Sequence, residues 1–336
     1  MDGAAESSNS TGTSARRIGV LTAGGDAPGM NAAIRAVIRS AAAARIDVLG
    51  VRRGYDGLIG DLFESMTGRG VANIIQRGGT VLETSRSDEF RRPSGRSRAL
   101  QNLRDRNVEG LVVIGGEGAL QGAVVFHRET SIPLMFLPAS IDNDVPGTEY
   151  SIGFDTAVNT ALDAIDKVRD TMFAFERVFC IEVMGRDSGF IGLSVALGAG
   201  AEVVVVPELP LDIDDLCRRV DEARTRGKLS SIIVVSEGPR TGGVAPIAHE
   251  LESRLGIKAR IVVLGHIQRG GSPTARDRMV ASRMGAEAVR ALAEGAPAAL
   301  IGEEHGAIVR VPLEHAHDQV RKPDAALIDL VYKLSI

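Results

Sequence analysis

Short runs of β-branched and aliphatic residues recur along the chain. Each ends near Gly, Ser or Asp and gives way to a stretch with helical spacing. Strands are predicted at 18–22, 111–114, 134–137, 178–183, 203–206, 232–235, 261–264 and 307–311. Continuous apolar runs, as opposed to strict alternation, belong to strands covered on both faces, so parallel sheets between helices are expected. The helical signal is clearest over 154–171. Val158, Ala161, Leu162, Ile165 and Val168 fall at three- and four-residue spacings there, with Asp163, Asp166 and Arg169 on the other face. Residues 1–15 are small and polar without periodicity and read as a disordered tail, with neither the basic start nor the apolar run of a signal peptide. No 20–50-residue repeat and no Pro/Ser-rich linker is visible, so any domain boundary must lie within α/β structure.

Composition narrows the function classes. The 336 residues are 44% apolar and 24% charged, the balance of a soluble globular protein of two domains or one large α/β unit. No stretch approaches the roughly 18 apolar residues of a membrane span, so no membrane partner is expected. A net charge of −4, no Trp and no basic–aromatic stripe argue against a nucleic-acid partner. Two cysteines, Cys180 and Cys217, build neither a disulfide framework nor a four-thiolate zinc site, and a reducing cytoplasm is the simplest compartment. The 39 glycines suggest tight turns or backbone that approaches a phosphate.

Three strand ends carry candidate chemistry. Thr22-Ala23-Gly24-Gly25-Asp26 opens a helix, and paired glycines there can bring N–H groups to a phosphate; a plain βα turn is the alternative. Gly115-Gly116-Glu117-Gly118 repeats the pattern around one carboxylate. Beside a phosphate such a carboxylate would need a cation, which suggests Mg²⁺; a solvated turn with an idle Glu is the alternative. Ser140-Ile141-Asp142-Asn143-Asp144 follows the strand at 134–137. If extended, it would put Asp142 and Asp144 on one face, one to take a hydroxyl proton and the other to orient it or bind metal; an Asx turn is the alternative. Arg86, Arg169, Arg177, Arg186, Arg260 and Arg269 lie near element ends, which suits ligands bearing more than one phosphate. The inventory fits phosphoryl transfer, which needs positioning and charge neutralisation more than covalent catalysis.

At this point the chain resembles the bacterial 6-phosphofructokinases from about Ile18 to its C-terminus. The resemblance rests on GVLTAGGDAPGMNAAIR (19–35), GGT (78–80), IDNDVPGTEYSIGFDTA (141–157), VMGR (183–186), AEVVVVPE (201–208) and LGHIQRGGSP (264–273). It implies two Rossmann-like lobes, each a largely parallel sheet between helices. A nucleotide/Mg-binding lobe would take 16–153 plus 267–316, and a fructose 6-phosphate-binding lobe 154–266 plus 317–336. It implies ATP as co-substrate and Mg²⁺ as cofactor, with Gly25, Arg86, Ser87, Glu117, Gly118 and Ala119 at the nucleotide and Glu117 at the metal. Asp142 would be the base toward the sugar 1-hydroxyl, assisted by Ser140, Asp144 and Arg186. Met184, Gly185, Glu237, His266 and Arg269 would hold fructose 6-phosphate, joined by Arg177 and Arg260 from a neighbouring subunit of a cytoplasmic homotetramer. Arg35, Arg39, Arg169 and Glu202 would form an allosteric effector pocket.

The chain departs from the family pattern at several positions. Glu117 and Ala119 replace Asp and Ser of GGDGS, Pro138-Ala139-Ser140 replaces P-G-T, and the basic effector stretch is reduced to Arg226-Gly227-Lys228-Leu229-Ser230. Pyrophosphate-using members carry Asp and Lys where this chain has Gly118 and Ala139. ATP is therefore the expected donor. The alternatives are a pyrophosphate-dependent enzyme and a catalytically weak sugar-phosphate-binding regulatory paralogue.

Overall fold

The computed structural model describes residues 17–172, 177–228, 230–238, 241–316 and 321–335, so the tail expected over 1–15 lies outside the described residues. The chain begins with β1 (Arg17–Ala23), α1 (Met30–Ala43), β2 (Asp47–Val51), α2 (Gly54–Ile59), β3 (Phe63–Met66) and α3 (Pro93–Asp105). It continues through β4 (Gly110–Gly115), α4 (Glu117–Thr130), β5 (Leu134–Pro138), α5 (Phe154–Met172), β6 (Val178–Val183), α6 (Phe190–Ala199) and β7 (Val203–Val205). Then follow α7 (Ile213–Thr225), β8 (Ser231–Ser236), α8 (Val244–Leu255), β9 (Arg260–Val263), a 3₁₀ turn (Gly265–Arg269) and α9 (Ala275–Ala293). The β10 (Ala299–Glu304) and β11 (Ala307–Pro312) strands and α10 (Ala325–Leu334) complete it.

Two sheets result. The first has seven strands in the order β11-β10-β5-β4-β1-β2-β3, and the second has four in the order β7-β8-β6-β9. Only the edge strands β3 and β11 of the first sheet are antiparallel; the second sheet is parallel throughout. Alternation within β1 sends Ile18 and Val20 toward α1 and α9, and Leu21 and Ala23 toward α2–α4. In the second sheet Cys180, Ile233 and Val235 face α7 and α8, while Ile181, Ile232 and Val234 join the core that holds α5 and α6. That core runs without interruption from the first sheet's α1/α9 side to the second sheet. The two sheets are therefore welded by shared apolar burial.

All eight predicted strands and the helix at 154–171 are present, with bounds shifted by a residue or so. Three strands escaped the pattern. The Phe63–Met66 edge is half exposed and too polar to alternate, and β2 is five residues broken by Gly50. β10 closes on the polar pair Glu303-Glu304, and the Glu303 N–H is taken by the Thr148 hydroxyl. Strand β10 makes β11 the second arm of a hairpin closed by His305 (φ 50°) and Gly306 (φ 77°), the paired positive dihedrals of a primed two-residue turn.

Candidate active site

The suggestive residues sit beyond the carboxyl ends of β1, β4 and β5 in one sheet, and of β6, β8 and β9 in the other. This is where open parallel sheets bind ligands. Two polar contacts show that these ends face each other. Ser188 Oγ donates to the Asp142 carbonyl oxygen (2.9 Å), and Arg269 Nη1 reaches the Asp26 carbonyl oxygen (3.3 Å). Gly25 leaves room for the second contact: a Cβ there would lie 2.8 Å from Arg269 Nη1 and push the guanidinium aside. A position expected at the nucleotide thus lies against one expected at the sugar phosphate.

Past β4, Gly116 caps α4 in an extended conformation, leaving Glu117 and Gly118 exposed and Ala119 buried. Tyr55 lies beneath this turn, its hydroxyl donating to the Ala119 carbonyl oxygen at 2.6 Å. A Cβ on Gly118 would meet nothing within 4 Å, so the backbone here borders open space. Ala139 is 1% exposed and hydrogen-bonded through its N–H to the Gly115 oxygen, so it lies beneath this surface and does not line it. Arg86 is exposed and Ser87 half-buried, on a segment pinned to the first glycine loop by Thr84 Oγ1 donating to the Gly24 oxygen (2.7 Å). Glu117 accepts from Gln121 (2.8 Å). Among the described residues no three His, Cys, Asp or Glu side chains gather into a metal cage. One exposed carboxylate beside open backbone suits Mg²⁺, which takes one or two carboxylates, keeps waters and binds substrate phosphates.

The Asp142–Asp144 segment corrects the extended geometry expected of it. It turns, and Asn143 adopts φ 54°. Asn tolerates this left-handed conformation because its side chain can hydrogen-bond locally. Here Asn143 Oδ1 accepts from Ser151 N (2.8 Å) and Nδ2 donates to the Glu149 oxygen (3.3 Å). The turn separates the two carboxylates by environment. Asp144 is half-buried and accepts from Ser140 Oγ (2.9 Å), whereas Asp142 is 7% exposed and its Oδ1 is buried without a partner. Burial pushes the Asp142 carboxyl up to about 6, with Asp144 and Glu237 adding to the shift and Arg269 and Arg186 opposing it. A buried, unpaired, near-neutral carboxylate is what a general base requires.

On the second sheet, Arg186 has φ 53° and follows Gly185 at φ 149° in a turn closed by Ser188 N to the Gly185 oxygen (2.9 Å). Glu237 is placed beside it by its N–H to the Val183 oxygen (2.7 Å). His266 is exposed on the 3₁₀ turn that also carries Arg269. Met184 is buried, and its N–H is accepted by Gln268 Oε1 (2.8 Å), a fully buried amide. Gln268 thereby fixes the Met184–Arg186 loop against the His266/Arg269 turn. Neither Gln268 nor Ser188 stood out in the sequence, because each contacts the backbone of a distant loop.

Arg177 and Arg260 are placed elsewhere. Arg177 precedes β6 at its amino end, and Arg260 pairs there with Phe179. The length of β6, about 16 Å at 3.3 Å per residue, separates them from the Met184 loop. Of the effector set, Arg35 and Arg39 lie on α1, Arg169 donates to the Ala199 oxygen, and Glu202 is buried, accepting from Lys228 Nζ (2.7 Å) and Ile232 N. Among the described residues no hydrogen bond or ion pair links the α1 arginines to the other two.

A family model described as "Phosphofructokinase" matches residues 17–292. The ATP-dependent 6-phosphofructokinase 1 of Thermus thermophilus is 51% identical over 321 residues, covering 96% of this chain and 100% of that protein. The ATP-dependent 6-phosphofructokinase of Thermotoga petrophila is 48% identical over 320 residues, 95% of this chain and 100% of that one. Among solved structures, phosphofructokinase from Saccharomyces cerevisiae superposes with a TM-score of 0.86 at 32% identity over 96% of this chain. The match spans 48% of the yeast chain, so the present chain is about half its length.

Proposed function

The chain belongs to the phosphofructokinase family, and from that premise we propose that it phosphorylates the 1-hydroxyl of fructose 6-phosphate with ATP, as a cytoplasmic enzyme of glycolysis. The observation that carries the reading is Asp142: buried, with one carboxylate oxygen unpartnered, where two sheets' carboxyl ends converge. In the reaction the sugar 1-oxygen attacks the γ-phosphorus, the bond from that phosphorus to the ADP oxygen breaks, and the hydroxyl proton passes to Asp142. Asp144 and Ser140 hold the turn that presents this carboxylate. Arg186 and Arg269 bring positive charge to the phosphates, and Met184, Gly185, Glu237 and His266 bind the sugar phosphate. The nucleotide takes the Gly25 and Glu117–Ala119 loops with Arg86 and Ser87. Mg²⁺ held by Glu117 and the substrate phosphates would neutralise developing charge.

ATP is favoured over pyrophosphate as donor because the Gly118 backbone is open and bears no Asp, and the relatives named above are ATP-dependent. On this reading the lobes would divide at 16–153 plus 267–316 and 154–266 plus 317–336, the division that the resemblance implies. A homotetramer accounts for Arg177 and Arg260, which lie far from the rest of their own site and suit a neighbour's. Edge strand β9 supports this, with Ile261 at 48%, Val263 at 58% and nearby Ile267 at 57% exposure. The Arg35, Arg39, Arg169 and Glu202 set would meet as an effector pocket only across such an interface.

A coupled assay of fructose 6-phosphate with ATP or pyrophosphate tests the reading. Fructose 1,6-bisphosphate and ADP are expected with ATP. Equal or better turnover with pyrophosphate overturns the donor, and none with either overturns the activity.

A further inference from the structure

The Asp142 turn is held from behind by a side chain far away in sequence. Arg321, just before α10, donates from Nη1 to the Asn143 carbonyl oxygen (2.9 Å) and from Nη2 to the Glu149 carbonyl oxygen. Its guanidinium also lies 4.6 Å from the centre of the Phe190 ring, at the first residue of α6. The Asn143 carbonyl belongs to the peptide unit that supplies the Asp144 N–H. Orienting that unit fixes the bend between the two carboxylates, and Asn143 is the residue in the left-handed conformation. Phe190 follows the segment in which Ser188 donates to the Asp142 carbonyl oxygen. One cation therefore touches the loop carrying the base and the helix that follows the Met184–Arg186 turn. Burial lowers its pKa to about 10, so it remains charged at neutral pH.

We propose that Arg321 is a positioning residue for the phosphoryl-transfer step, its planar fork setting the Asn143–Asp144 peptide and bracing it against α6. A planar donor pair holds two oxygens in fixed relation, which a point-charge ammonium cannot do. The inference rests on the reading of Asp142 as the base. Wild-type enzyme is therefore assayed alongside every variant: an inactive wild type refutes that reading, and only an active one tests Arg321.

In Arg321→Met, which keeps an unbranched side chain but neither donors nor charge, kcat should fall about 10- to 100-fold, the range a misplaced reacting group costs. KM for fructose 6-phosphate should change less than about threefold, since no contact to the sugar phosphate is removed. Arg321→Lys should fall between the wild type and Met, and added methylguanidinium should return part of the activity of Arg321→Ala. A folded Met variant with kcat within about twofold of wild type, or one that loses KM and keeps kcat, overturns the proposal. If circular dichroism shows the Met variant unfolded, the Lys variant decides, and wild-type kcat there overturns it.

Discussion

Replacing Asp142 by Asn should lower activity and raise stability, and the two effects should share one pH dependence. The carboxyl is 7% exposed, its Oδ1 has no partner, and burial raises it from 3.8 to about 6. That rise corresponds to roughly 3 kcal/mol favouring the neutral over the charged form. A raised carboxyl contributes its stability fully below pH 3.8 and loses it as pH climbs through about 6. Above that pH the wild type carries a buried charge that the neutral, nearly isosteric Asn does not. The Asn variant should therefore match the wild type near pH 4 and become more stable by roughly 3 kcal/mol above pH 6 to 7. With about 2.1 cal/mol/K of unfolding entropy per residue, that is a Tm difference of about 4 °C for 336 residues.

Activity should move the other way. Losing a general base typically costs about 10²- to 10⁴-fold in kcat. In the wild type about 90% of Asp142 is ionised at pH 7 and about 10% at pH 5, so kcat should fall nearly tenfold across that interval. The Asn variant should lack this acidic limb. Differential scanning fluorimetry from pH 4 to 8 and coupled-assay pH profiles provide both readouts. An Asn variant with most of its kcat, or one whose Tm falls below wild type at pH 7, would refute the argument.

Other perturbations follow from the same geometry. Gln268→Leu leaves the buried Met184 N–H without its acceptor, a loss of about 1–3 kcal/mol, and should raise KM for fructose 6-phosphate severalfold in steady-state assays with little change in kcat. Asp277 is fully buried at the start of α9 and accepts from Gly153 N (2.8 Å), Thr156 N (2.9 Å) and Thr156 Oγ1 (2.5 Å), fixing the start of α5. Asp277→Ala should therefore lower unfolding free energy by at least about 1–3 kcal/mol in urea titrations, with those donors left unpaired. Mixed oligomers of Asp142→Asn and Arg260→Ala chains, dissociated and reassembled, should regain activity if an interface pairs an intact base with a neighbour's intact arginine. No recovery in proven hybrids would remove Arg260 from the shared site.

What the sequence determined by itself was the alternation of buried strands and helices, and which strand ends bear phosphate-suited glycines, carboxylates and arginines. Both are local properties: a run such as Ile18–Leu21 is apolar whatever its neighbours, and Gly115-Gly116-Glu117 follows its strand in any packing. Tertiary structure decided which of those ends meet. Asp142 acquires its raised carboxyl through burial, reinforced by the charges of Asp144 and of Glu237 from beyond β8, while Arg269 and Arg186 pull it back down. The turn at Asn143 replaces the extended geometry because Ser151, Glu149 and Arg321 satisfy a conformation that alternation alone would not select. Gln268 and Arg321 act through distant backbone atoms and leave no periodic or motif signal around themselves. Arg177 and Arg260, alike in sequence to the other arginines, are set apart by lying at the opposite end of a parallel strand from the base. A side chain's type is written locally, but its dielectric surroundings and many of its hydrogen-bond partners come from distant segments, 46 residues away for Ser188 and Asp142, 84 for Gln268 and Met184, and 178 for Arg321 and Asn143.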